Sequence, residues 1–159
     1  MNLPRAIVLT TFGGLLLTVS GCSVPISGVM GLSLDDERVV ATVRMCEGVT
    51  TDYIWTRAPS SNPFRGDGPT WRFSPIESGT VDLGPVSVFS ELMEDSESID
   101  LLTSASDAAG AYLHLEPSDL EQLALSEGQI LAWNSNGELA LMDVLDLERQ
   151  RDELCEGWF

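Results

Sequence analysis

From Gly28 onward the apolar residues of this chain tend to fall at every second position, and that period leaves few folds open. In the stretch 38–47, RVVATVRMCE, Val39, Ala41, Val43 and Met45 lie on one side. Arg38, Val40, Thr42, Arg44 and Cys46 lie on the other. A period of two is that of a strand, whose successive side chains point to opposite faces, and β-branched residues suit its half-buried surface. The same reading predicts strands over 28–34, 50–58, 70–77, 79–89, 109–116, 129–133 and 138–144. Within 50–58, Tyr53 and Trp55 share a face; within 109–116, Tyr112, His114 and Glu116 oppose Ala111, Leu113 and Leu115. Asp35-Asp36-Glu37, the Pro/Gly-rich stretch 59–69 and Asn136-Gly137 supply turns between them. Short strands with turns roughly every 8–12 residues predict a mainly β chain. The expected fold is an antiparallel β-sandwich, Ig-like in general architecture, with one or two short helices.

Ser118 and Glu121, just after Pro117, have the spacing of a capping box and predict a short helix ending near Gly128. The polar stretch 147–154 predicts a second helix, which brings Cys155 back toward Cys46. The stretch 91–100, ELMEDSESID, reads as an acidic loop.

The first residues follow a different logic. A short head ending in Arg5 precedes the uncharged, mostly apolar stretch 6–19, and the small residues Ser20 and Gly21 follow it. That is the pattern of a secretory signal, and it is shorter than the roughly 20 apolar residues a spanning helix needs. Val19-Ser20-Gly21-Cys22 resembles the lipobox of bacterial lipoproteins. The resemblance implies that 1–21 is a signal peptide and that Cys22 carries a covalent diacylglyceryl group. It further implies a short tether over 22–28, a single domain over 29–159, and a lipid-anchored position on the extracytoplasmic face of the cell membrane. The stretches GLSLDDERVVATVRMCEG and LHLEPSDLEQLALSEGQILAW, with a cysteine near the end of the sequence, resemble small actinobacterial lipoproteins. That likeness transfers no functional residue.

Charge excludes some functions. All eight basic residues are arginine, and loss of Arg5 with the signal leaves seven against 25 acidic side chains, 7 − 25 = −18. Nucleic-acid binding rests on basic side chains neutralising phosphates, so no nucleic-acid partner is expected. Anionic headgroups would likewise repel the domain.

Cys46 and Cys155 are the two cysteines left once Cys22 is acylated. In an exported chain an even pair predicts a disulfide. Neither belongs to a CxxC motif, and no catalytic role is expected of them.

No catalytic constellation is visible. His114 is the single histidine, so it cannot build a multi-histidine metal site, and no G-x-S-x-G elbow accompanies it. Glu91, Glu94, Asp95, Glu97 and Asp100 place five carboxylates in ten residues. They read either as a solvated loop or as oxygen ligands for a hard cation such as Ca²⁺. Arg65-Gly66-Asp67 matches an integrin-binding tripeptide but is also ordinary turn chemistry. Trp55, Trp71, Trp133 and Trp158, with Phe64 and Phe73, read as core or as an aromatic platform. Trp158 and Phe159, just past Cys155, either dock over the disulfide or meet a partner. The expectation is a non-catalytic binding module for an envelope or secreted protein, needing no cofactor or metal. The alternatives are a lipoprotein binding a small ligand or cation, and a hydrolase.

Overall fold

The computed structural model describes residues 26–57, 68–94, 96–105, 109–126 and 128–156. Among these, nine strands and three helices follow one another: β1 (Gly28–Asp35), β2 (Arg38–Met45), β3 (Thr51–Arg57), β4 (Thr70–Ile76), β5 (Ser78–Pro85), α1 (Val86–Glu94), β6 (Ile99–Ser104), β7 (Ala109–Leu115), α2 (Pro117–Ala124), β8 (Ile130–Trp133), β9 (Leu139–Met142) and α3 (Val144–Glu156). The strands form a five-stranded sheet of order β5-β2-β1-β8-β9 and a four-stranded sheet of order β4-β3-β6-β7. Every pairing is antiparallel. The expected β-sandwich is therefore present, with three short helices.

The alternation read from β2 is the one that folds. Val39, Ala41, Val43 and Met45 are fully buried between the sheets, beside Met30 and Leu32 of the same sheet, and share one core with Ile54, Leu101, Leu113 and Leu115 of the other. Burying each valine, leucine, isoleucine or methionine side chain of this set contributes about 1.5–3 kcal/mol, and the Ala41 methyl less. A smaller cluster, Ile130, Ala132, Met142 and Leu147, joins the β8–β9 hairpin to α3.

Three local readings differ from the structure. The strand expected over 79–89 stops at Pro85. Gly84 takes φ of +99°, its N–H donates to Asp82 Oδ1 (2.8 Å), and the chain turns into α1. Val86, Phe89 and Met93 recur at helical spacing, and Phe89 and Met93 are buried. Second, the acidic stretch 91–100 is not one loop: it holds the last turn of α1 and the first residues of β6. In β6, Ile99, Leu101 and Thr103 alternate inward. Third, the N-cap of α2 is Glu116, two residues before the expected Ser118. Asp119 Oδ2 accepts the Glu116 N–H at 2.7 Å, the Asp119 N–H reaches the Glu116 carbonyl at 3.0 Å, and Pro117 opens the helix. Proline at the first helical position loses no hydrogen bond and has the right φ.

The β1–β2 turn holds two residues, because Asp35 faces Arg38. Asp36 and Glu37 both sit in the left-handed region, at φ 46° and 61°. This is the primed geometry that suits hairpin twist and favours Asn-Gly. A non-glycine residue there costs roughly 1–2 kcal/mol. Glu37 contributes a backbone carbonyl to the Val86 N–H at 3.0 Å, which glycine would keep. Glu37→Gly is therefore expected to raise stability by about 0.5–1 kcal/mol. Urea unfolding checks it: a higher midpoint at unchanged slope is the expected result, and a lower midpoint refutes the argument.

Cys46 and Cys155 form a disulfide with Cα atoms 5.6 Å apart, across 109 residues of sequence. It ties the end of α3 to the residue after β2. The Cys46 N–H also donates to the Ser27 carbonyl at 2.9 Å. The start of the described chain and the end of α3 therefore meet at one pole of the sandwich.

Candidate functional site

The four-stranded sheet has an open face. Alternation turns Ile54, Leu101 and Leu113 inward and leaves Tyr53, Trp55 and Arg57 of β3, Asp100 and Leu102 of β6, and Tyr112 and His114 of β7 on the other side. The register sets them in rows. Trp55, Leu102 and Tyr112 are cross-strand neighbours, and so are Arg57, Asp100 and His114. Beyond them, Tyr53 pairs with Arg72 of β4, whose guanidinium carbon lies 5.6 Å from the Tyr53 ring centre. Tyr53 and Trp55 lie 5.2 Å apart, with their rings tilted by 38°.

Asp100 organises this surface. It is 3% exposed although it lies on the open face, because its own partners cover it. Oδ1 lies 2.8 Å from His114 Nδ1 and accepts the Tyr112 hydroxyl at 3.0 Å. Oδ2 accepts two N–H groups of Arg57, at 3.0 and 3.3 Å. Burial pushes the Asp100 carboxyl up. The hydrogen bonds from His114, Arg57 and Tyr112 and the charge of Arg57 outweigh that, and the group titrates below its ordinary 3.8. Burial and the hydrogen bond to that carboxylate push the Tyr112 hydroxyl up to about 12.

A carboxylate can only accept, so His114 Nδ1 carries the proton and Nε2 is left for an outside group. The ring is oriented and one-third exposed. Hydrolysis by such a histidine needs a nucleophile within reach. Ser104, on the same face of β6, instead donates to Asp52 at 3.3 Å. The network leaves a guanidinium, an imidazole and aromatic rings side by side on this face.

The expected cation ligands are divided among three segments of the chain. Glu91 and Glu94 are on α1, Glu97 is in the connection after it, and Asp100 is engaged in β6. Among the described residues no three His, Cys, Asp or Glu side chains gather as a metal ion would need. The aromatic set also divides. Trp71 stacks on Phe89 in the core, with centroids 5.8 Å apart, Phe73 packs against the same core, and Trp55 alone of the described tryptophans joins the open face. Cys22, Phe64, Arg65-Gly66-Asp67, Asp95, Trp158 and Phe159 lie outside the described residues.

Arg57 and Tyr112 were not singled out as site residues from sequence. Parity within their strands put them on the outward side. The pairing that brings both to Asp100 is long-range and has no local signal.

No protein-family model, curated protein or solved structure matches the chain. Among the described residues no helix is long and apolar enough to cross a membrane.

Proposed function

We propose that the protein is a lipoprotein of the bacterial envelope, held on the extracytoplasmic face of the cell membrane by a diacylglyceryl group on Cys22. Its domain is a non-catalytic module that docks an envelope or secreted protein on the open face of the four-stranded sheet. The observation that carries the docking surface is the Asp100 network. A buried carboxylate fixes Arg57, Tyr112 and His114 side by side on a face that also carries Tyr53 and Trp55. Interfaces draw their energy from aromatic and arginine side chains held in place before binding. The anchor rests on the lipobox pattern.

The test places a photocrosslinking amino acid at Leu102, in the middle of the face, or at the exposed Thr80 on the other sheet. Both versions of the full chain are expressed in the source cells. The expected result is one abundant adduct from position 102 that position 80 does not give. The double variant Tyr53→Ala/Trp55→Ala should weaken that adduct tenfold or more, the scale of losing a hot-spot residue. Equal adducts from both positions, or an adduct indifferent to the double variant, would remove this face as the docking surface. In the same preparation, the mass of the peptide that begins at Cys22 checks for the lipid.

A further inference from the structure

Tyr112 belongs to two surfaces. Its hydroxyl serves Asp100, while the residue also lines a cleft of about 580 Å³ between the start of β1, the end of β8 and α3. That volume is in the range of small-ligand sites, roughly 300–1,000 Å³. The floor is apolar and buried: Met30, Ala132 and Leu147 are at most 2% exposed. The rim is polar and open, with Ser135 and Glu153 exposed.

We propose that this cleft takes one acyl chain of an uncharged membrane lipid, with the lipid's ester or hydroxyl head left at the rim. The floor offers an acyl chain apolar contact along its length and offers no charge. The rim decides the head. Glu153 is its charged residue, and no arginine or histidine is among the described residues that line the cleft. An anionic head would therefore meet a carboxylate and no cation, in a domain that already carries a large excess of acidic residues. The position decides the source. Ile26, 44% exposed, lies at the mouth, and it stands four positions after Cys22 in the sequence. Four residues reach at most about 14 Å. On the lipoprotein reading proposed above, on which this inference rests, the mouth stands at the bilayer surface, within reach of its lipids.

The test uses the full chain in cells fed a fatty acid that bears both a photoreactive diazirine and an alkyne. After illumination the protein is captured through the alkyne and digested, and the adducts are weighed. The expected adduct is a free, uncharged lipid on peptides from β1, β8 or α3. Gln150→Trp, which fills the cleft from α3, should lower that adduct at least tenfold with the melting temperature kept. Leu154→Trp serves as a second filling variant if the first fails to fold, and Thr80→Trp, away from the cleft, should change nothing. The inference is overturned by adducts spread evenly over the surface, adducts indifferent to both filling variants, a lipid mass that carries an anionic head, or cleft adducts that arise only after residues 157–159 are removed. The last would show that the chain's own aromatic segment occupies the cleft. The same digest separates the two readings. A peptide at Cys22 without lipid defeats the anchor, whereas a lipidated Cys22 beside an unlabelled cleft defeats this inference alone.

Discussion

The double variant Cys46→Ser/Cys155→Ser is expected to lose about 2–5 kcal/mol of unfolding free energy. The bond closes a loop over 109 residues of sequence. For a loop of that length the chain-entropy argument gives roughly 4–5 kcal/mol, and strain or residual structure in the unfolded chain commonly reduces it. The native state contributes as well, because α3 is weakly held without the bond. Leu147 is its one buried residue, and Arg44 reaches Glu148 at 3.4 Å from a partly exposed position. A contact of that kind contributes about 0–1 kcal/mol. Two measurements divide these causes. Urea unfolding with and without reductant gives the total, and an unchanged midpoint would refute the prediction. Hydrogen exchange in the folded state locates the rest: α3 amides should lose protection while those of β2 and β3 keep theirs. Retained protection in α3, with a lower midpoint, would assign the whole effect to the unfolded chain. The variant also bears on the cleft, since α3 forms one of its walls.

The strands were legible where each has one wet and one dry side. β2 and β7 fold with the parity their sequences carry: Ala111, Leu113 and Leu115 are buried and Tyr112 and His114 face out. The failures have a common cause. In 79–89 Val81, Val86 and Val88 carry a strand preference while Val86, Phe89 and Met93 carry a helical spacing, and Gly84 with Pro85 decides between them. In 91–100 the density of carboxylates hid Met93 as part of the buried stripe of α1, and hid Ile99 as the first inward residue of β6. The Asn136-Gly137 signal did mark a hairpin, but its loop runs from Asn134 to Glu138. Asn134 Oδ1 accepts two backbone N–H groups there, and Gly137 takes φ of +75°. The disulfide was legible because the choice of partner was small. The site was not, because Arg57, Asp100 and Tyr112 are 43 and 12 residues apart in sequence. Pairing β3 with β6 and β6 with β7 is a property of the whole sandwich, and the charge pattern around Asp100 pointed to a different, local grouping.

Asp100→Ala is expected to destabilise the domain by about 2–3 kcal/mol, because it removes the acceptor shared by three donors. A fully buried pair would lose more. Arg57 and His114 are about a quarter to a third exposed, so water replaces part of what they lose, and the lower figure is the better one. Asp100→Asn keeps one acceptor oxygen and adds a donor, and should cost about 1–2 kcal/mol. Acid unfolding distinguishes the charge from the packing. The Asp100 carboxyl titrates below 3.8 in the folded chain. Its stabilisation is therefore present above that pH and is lost as pH falls through the folded value. The wild-type protein should weaken more steeply than Asp100→Asn below about pH 4, so their midpoints converge in acid. Tyr112 gives the opposite limb. Its folded value is raised from 10.0 to about 12, so its contribution is full below pH 10 and is lost as pH rises through 12. Tyr112→Phe should remove that limb. Parallel acid profiles for the wild type and Asp100→Asn would show that the network is packing alone. The docking proposal separates from stability here. At neutral pH, where Asp100→Asn remains folded, the adduct at Leu102 should still fall about tenfold, because the guanidinium and imidazole lose the carboxylate that fixes their directions.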